Sequence, residues 1–225
     1  VEIFNVCWPM YAAMPAVLKS AVEKSYVDCG WDLMTSTNKY DSNLYPDLAD
    51  VARNIKIIID SSEYDNENKG AYKGSLLTRL QSLTTGINGL IFSSDELSGD
   101  ELFESNVIVD LSRVGSSETK SLIMGMLVLK LQEFRMTGDI PMNADLHHVT
   151  VLEEAHNLLR RTSIEQPTES SNILGKSVEL IANAIAEMRT YGEGFIIADQ
   201  APGLMDMSVI RNTNTKIIMR LPDQG

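Results

Sequence analysis

At 225 residues the chain is long enough for one large domain or two small ones, and 44% hydrophobic with 22% charged residues is ordinary for a globular protein. A net charge of −12, with a pI near 4.7, argues against a chain that coats nucleic acid over its whole face, though not against contact through a few residues. No apolar run reaches the roughly 18–20 residues that cross a bilayer, and no basic-then-apolar leader opens the chain.

The first residue is Val1, which reads as the start of a fragment or of a processed product. Cys7 and Cys29 have neither a second cysteine pair nor a histidine cluster beside them. They are expected to be buried, reduced thiols rather than a disulfide framework or zinc site, in a cytoplasmic protein with no membrane partner.

Up to about residue 105 helical patterns dominate. Pro9 and Pro15 flank an opening turn, after which Ala16, Val17, Ala21, Val22 and Tyr26 recur at helical spacing. Residues 46–59 predict a second helix, with Pro46 in its first turn and Leu48, Val51, Ala52, Ile55, Ile58 and Ile59 on one side. Residues 73–83 predict a third, carrying Leu76, Leu77, Leu80 and Leu83. Polar loops rich in turn residues separate them, at 35–43 and 61–69.

From Asn106 the pattern alternates strand and helix. Val107–Leu111 is a short apolar strand, and 122–134 is a helix apolar on much of its surface. Val149–Leu152 is a second strand that runs straight into Glu153, Glu154, Ala155 and His156. A polar stretch at 161–172 precedes a helix at 176–188, with Val178, Ile181, Ile185 and Met188 on one stripe. Phe195–Ala198 is a third strand ending in Asp199 and Gln200; a short helix near 205–210 leads to a last strand, Lys216–Met219. Short all-apolar strands separated by helices predict a parallel sheet covered on both faces. The chain is therefore expected to be α/β over 105–225, preceded by an all-helical part over 1–104.

In such sheets ligands gather at the carboxyl ends of the strands. The polar residues that end these strands are Asp110, Glu153 with Glu154, Asp199 with Gln200, and Arg220. Adjacent carboxylates at the end of a buried strand need compensation, which a magnesium–phosphate group supplies; first-turn acids of a following helix are the structural alternative. Gln200 suits a sensor of a terminal phosphate or a turn residue bonded to local backbone. Arg189, Arg211 and Arg220 are candidate anion partners, with an ordinary salt bridge the preferred reading for Arg211.

Gly115 to Ser121 follows a strand and opens a helix as a phosphate loop does, but no glycine precedes Lys120. A serine cap, Ser116 or Ser117, is the better reading. His147, His148 and His156 lack the cysteines or acids that would complete a metal site.

The run Val149-Thr-Val-Leu-Glu-Glu-Ala-His156 resembles the Walker B motif of the HerA-like branch of the FtsK/HerA ATPases. Residues 188–192 and 194–202 are similar to the helix, strand and glutamine motif of that family, and 212–221 to its last core strand with a terminal arginine. The resemblance covers about 105–225. It implies a RecA-like P-loop NTPase core with a mostly parallel sheet, residues 1–104 standing as a helical insertion.

By position, Glu153 resembles the magnesium-coordinating acid, through water where the side chain requires it, and Glu154 the base for the attacking water. Gln200 resembles the γ-phosphate sensor, and Arg220 or Arg189 a finger or sensor arginine. The implied activity is that of an ATP-hydrolysing DNA translocase or helicase using ATP and Mg²⁺. Its implied partners are DNA held in a ring pore, further copies in a homo-oligomer of hexamer type, and a nuclease.

Two departures stand out: Glu153 replaces the more usual Asp, and the Walker A loop is missing. That loop is expected upstream of Val1, making this stretch inactive by itself. The competing reading is a non-catalytic regulatory or interaction module that kept the NTPase fold. A DEAH-type helicase ranks lower, because Ala198-Asp-Gln200 stands where that class has a Ser-Ala-Thr-like motif.

Overall fold

The computed structural model describes residues 1–8, 10–93, 96–138, 141–161 and 168–219, of which 168–177 in backbone only. It divides into two compact units, one of Val1 with residues 10–96 and the other of residues 2–9 with 97–225. The second unit carries the α/β elements. It includes α1 (Glu2–Cys7), the first helix of the chain.

The first unit is built on α2 (Met14–Asp28) and α3 (Leu48–Ser61). Pro15 occupies the first turn of α2, where its missing N–H costs nothing. Asp47 and Asp50 close a reciprocal capping box at the start of α3. Met14, Val17, Leu18 and Ala21 of α2 are buried, as are Val51, Ile55 and Ile59 of α3. Buried Ser25 accepts a 2.9 Å hydrogen bond from Asn54 Nδ2, pinning the two helices.

Between them lies a short hairpin, β1 (Trp31–Asp32) with β2 (Thr37–Asn38). Three further helices follow: α4 (Asn66–Tyr72), α5 (Thr78–Thr84) and α6 (Gly86–Ile91). A π-helical stretch, Lys73–Leu77, joins α4 to α5. The helix expected over 73–83 is therefore real in its apolar face, with Leu76, Leu80 and Leu83 buried, but opens in a wider turn.

In the second unit α7 (Gly99–Phe103) precedes the long α8 (Ser117–Thr137). Ser116 caps α8, its Oγ accepting from Thr119 N at 3.0 Å, as the sequence predicts for this glycine–serine segment. Helix α1 packs on α8 at Gly125, where an added Cβ would lie 2.8 Å from Ile3. Cys7, buried beside these helices, has its thiol pushed up to about 12, by burial first and then by the Glu118 charge. Cys29, in the first unit, is half-buried.

Two strands pair in parallel, β3 (His148–Glu153) and β4 (Glu193–Ala198), in a register that sets His148 opposite Glu193 and Glu153 opposite Ala198. Helix α9 (Thr168–Met188) is the crossover, as a parallel pair requires. It extends back into the stretch expected to be polar loop, of which 162–167 lie outside the described residues. Val178, Ile181 and Met188 are buried as the periodicity predicts, and Ile185 is half-buried. Helix α10 (Met207–Asn212) closes the described elements. Gly192, which turns the chain into β4, has φ 77°, and a Cβ there would meet Asp145 O at 2.4 Å. Only glycine fits.

The expectation of four parallel strands needs correction. Residues 107–111 and 216–219 form no strand among the described residues. Ile108 is 94% exposed and Ile217 85%. An apolar run becomes a strand only when a neighbour completes its hydrogen bonds, and neither run has one among the described residues.

The amino ends of the strands are joined by a buried ion cluster. Arg135 of α8 is fully buried; its Nε donates to Glu193 Oε2 at 3.0 Å, while Nη1 donates to Glu104 and Nη2 to Phe103 O. The second Glu193 oxygen meets His148 Nδ1 and the Thr150 hydroxyl, each at 2.7 Å. His147 and then Arg135 hold the Glu104 carboxyl below its ordinary range. Arg135→Leu removes the guanidinium from buried Glu193, leaving it only His148 and Thr150, and is expected to cost about 3–5 kcal/mol in urea unfolding. Adding Glu193→Gln should recover part of that loss. A single-variant cost below about 1 kcal/mol would mean that the cluster does not secure α8 to β4.

Candidate functional site at the carboxyl ends of two parallel strands

Past Glu153 the parallel ladder continues by one bond, Glu154 N–H donating to Ala198 O at 3.0 Å. Glu154 itself is left-handed, at φ 52° and ψ 42°. That conformation costs a residue bearing a Cβ about 1–2 kcal/mol. It turns the chain from strand into the 3-10 turn Ala155–Asn157. Strain of this kind persists only where the surroundings impose it, and here they do. Asn157 donates twice to Glu154 O, and Leu158 and Leu159 are fully buried behind the turn. Ser121 of α8 donates to Asn157 O at 2.5 Å. Further along, Asp206 N–H donates to Leu159 O at 2.8 Å, tying this loop to the chain that leaves β4.

The turn points the half-exposed Glu154 side chain across to the end of β4. Its Oε1 accepts from Gln200 Nε2 at 3.4 Å, a long contact, and its Oε2 lies 3.7 Å from His156 Nε2. Behind His156 sits Asp199, its side chain 2% exposed. The Asp199 carboxylate accepts from His156 N at 2.8 Å and Ala201 N at 2.7 Å, and meets the ring at Nδ1 at 2.9 Å. Burial raises the Asp199 carboxyl, but the Ala201 and His156 N–H groups and the His156 ring outweigh it, so the net shift is downward. One buried carboxylate thus bridges the tips of both strands.

Of the residues singled out by the sequence, Glu154 and Gln200 come together. Glu153 ends β3 on its exposed face, alternating with Val149 and Val151, and its side chain has no hydrogen-bond or ion-pair partner among the described residues. Arg189 does not join them. It sits in the 3-10 turn Arg189–Tyr191 before β4, a strand length of about 20 Å from Gln200. Arg220 lies outside the described residues. Asp110 is exposed and accepts from Ser112 N at 2.8 Å, the bond that first accounts for its lowered carboxyl; no bond joins it to the cluster among the described residues. His147 and His148 belong to the ion cluster at the other end of the strands.

His156 and Asp199 carry no motif of their own in the sequence. The signal is a histidine three residues after one strand tip and an acid directly after the next, but only strand pairing shows that these meet. No group of three or more His, Cys, Asp or Glu able to hold a metal ion occurs among the described residues, and none of their helices is long and apolar enough to cross a membrane. No family model, curated protein or solved structure matches the chain.

Asp199→Ala deprives three donors of their acceptor and is expected to cost about 2–3 kcal/mol at neutral pH. Because the folded carboxyl is depressed, its contribution is full above its ordinary value of 3.8 and lost as pH falls through the folded one. Urea unfolding at pH 7 and near pH 3 should show the gap between wild type and variant closing on acidification. A gap that does not change with pH counts against the clamp.

Proposed function

We propose that this chain carries the acid-bearing part of an ATP-hydrolysing core, of the type found in HerA-like DNA translocases. The observation that supports this most is the approach of Glu154 and Gln200, within 3.4 Å, at the carboxyl ends of adjacent parallel strands. That edge is where open α/β sheets bind ligands. An acid and a neutral amide are the two groups that hydrolysis of a terminal phosphate uses to activate and place water.

Glu154 is the general base: half-exposed and tethered only by a long hydrogen bond, it is free to accept a proton from water. Gln200 donates its amide to Glu154 here and can redirect it to a terminal phosphate oxygen. Glu153 is the acid that would hold Mg²⁺. Magnesium takes one or two carboxylates, keeps several waters and completes its shell with substrate phosphates, so a single outward carboxylate with no internal partner fits it. When bound with ATP, the ion neutralises charge on the phosphates. Arg220 is the proposed finger. Arg189, at the opposite end of β4, is not a group for this cluster.

The wider reading has DNA passing through the pore of a homo-oligomeric ring, of hexamer type, with a nuclease as a possible partner protein. A net charge of −12 fits a grip confined to few residues better than one spread over the surface.

The decisive variant is Glu154→Gln in the protein as its gene encodes it. It should bind ATP–Mg²⁺ like wild type by calorimetry and lose about 10²- to 10⁴-fold in turnover. Unchanged turnover removes Glu154 from the mechanism. Wild type that binds no ATP–Mg²⁺ favours a non-catalytic module that kept the fold.

A further inference from the structure

The two oxygens of Glu154 have different neighbours. Oε1 faces the Gln200 amide, from which it accepts the long 3.4 Å bond. Oε2 faces His156 Nε2 across 3.7 Å, too far for a direct hydrogen bond. What occupies that gap depends on which ring nitrogen carries the proton. The tautomer of a histidine is set by the bond its other nitrogen makes. At Nδ1 the partner is Asp199, an ionised carboxylate that can only accept. In its neutral form the ring therefore carries its proton on Nδ1 and turns a bare lone pair at Nε2 toward Glu154.

Two acceptors facing each other at this distance repel unless one donor bonds to both. A water beside the line joining them, about 2.8 Å from each atom, does so, and the site is open to it, since the His156 side chain is 21% exposed and that of Glu154 50%. With both of its protons directed at Oε2 and Nε2, the water has its lone pairs pointing away from them.

We propose that Asp199 and His156 form a positioning pair for the attacking water: Asp199 fixes the tautomer, and His156 Nε2 shares the water with Glu154. The inference rests on the reading of Glu154 as the base. In the step itself the water oxygen bonds to the terminal phosphorus and one water proton passes to Glu154. The bond to the bridging oxygen breaks, leaving its electron pair on the diphosphate. His156 keeps its own proton throughout and acts only by orienting.

Two measurements test this. In histidine-¹⁵N-labelled protein, a long-range ¹H–¹⁵N spectrum should show His156 protonated at Nδ1 and bare at Nε2. Asp199→Ala should shift it toward a mixture of tautomers. In the protein as its gene encodes it, His156→Asn keeps a donor in place of Nδ1 but has no atom at Nε2. Its kcat is expected to fall by about 10- to 100-fold, as misplacing a reactant does, with KM for ATP unchanged. His156→Gln, whose amide reaches the Nε2 position, should recover part of that loss. An Nε2–H tautomer in wild type overturns the proposal, and so does a His156→Asn variant that turns over like wild type while Glu154→Gln does not. A wild type with no turnover overturns the hydrolase reading, and this role falls with it.

Discussion

A buried carboxylate at each end of β4 holds β3 in register, and the geometry of the candidate site follows from that. At the amino end Glu193 takes bonds from His148 and Thr150 of β3 while facing Arg135 of α8. At the carboxyl end Asp199 takes the backbone N–H of His156 and meets its ring. Buried acids are costly unless each lone pair is answered. Here one strand supplies the acid and the other much of the answer. A slip of one residue would break both sets of bonds and move every inward side chain to the other face.

Between those clamps the inward face of the pair sets Leu152 opposite Ile197 and Thr150 opposite Phe195. The outward face carries Val149, Val151 and Ile196, all exposed. The runs at 107–109 and 217–219 are exposed as well. Four stretches rich in β-branched residues thus lie in one unit, and two of them are paired. The candidate site depends only on those two, because Glu154 and Gln200 both lie just beyond them.

Backbone strain and side-chain freedom are divided along this edge. Glu154 spends conformational energy to turn out of the sheet, and buried Leu158 and Leu159 with the bond from Ser121 fix that turn. Its carboxylate is left loosely held, between an amide at 3.4 Å and a ring nitrogen at 3.7 Å. A fixed backbone under a loosely held acid suits the proposed role of Glu154 as a proton acceptor at a defined point. The opposite division holds for Asp199, whose side chain is buried and fully engaged.

The sequence by itself determined the helices with a clear apolar stripe, the serine cap of α8, and both paired strands to within two residues, because periodicity and capping are local. It also placed Glu154 and Gln200 at strand ends. The tertiary structure decided what depends on partners. It left 107–111 and 216–219 unpaired, since an apolar run does not encode its neighbour. It put Arg189 at the far end of β4 from Gln200, because position along a strand fixes which edge a residue can reach. And it joined Asp199 to His156, 43 residues apart in the chain, which only the parallel pairing of β3 with β4 brings together.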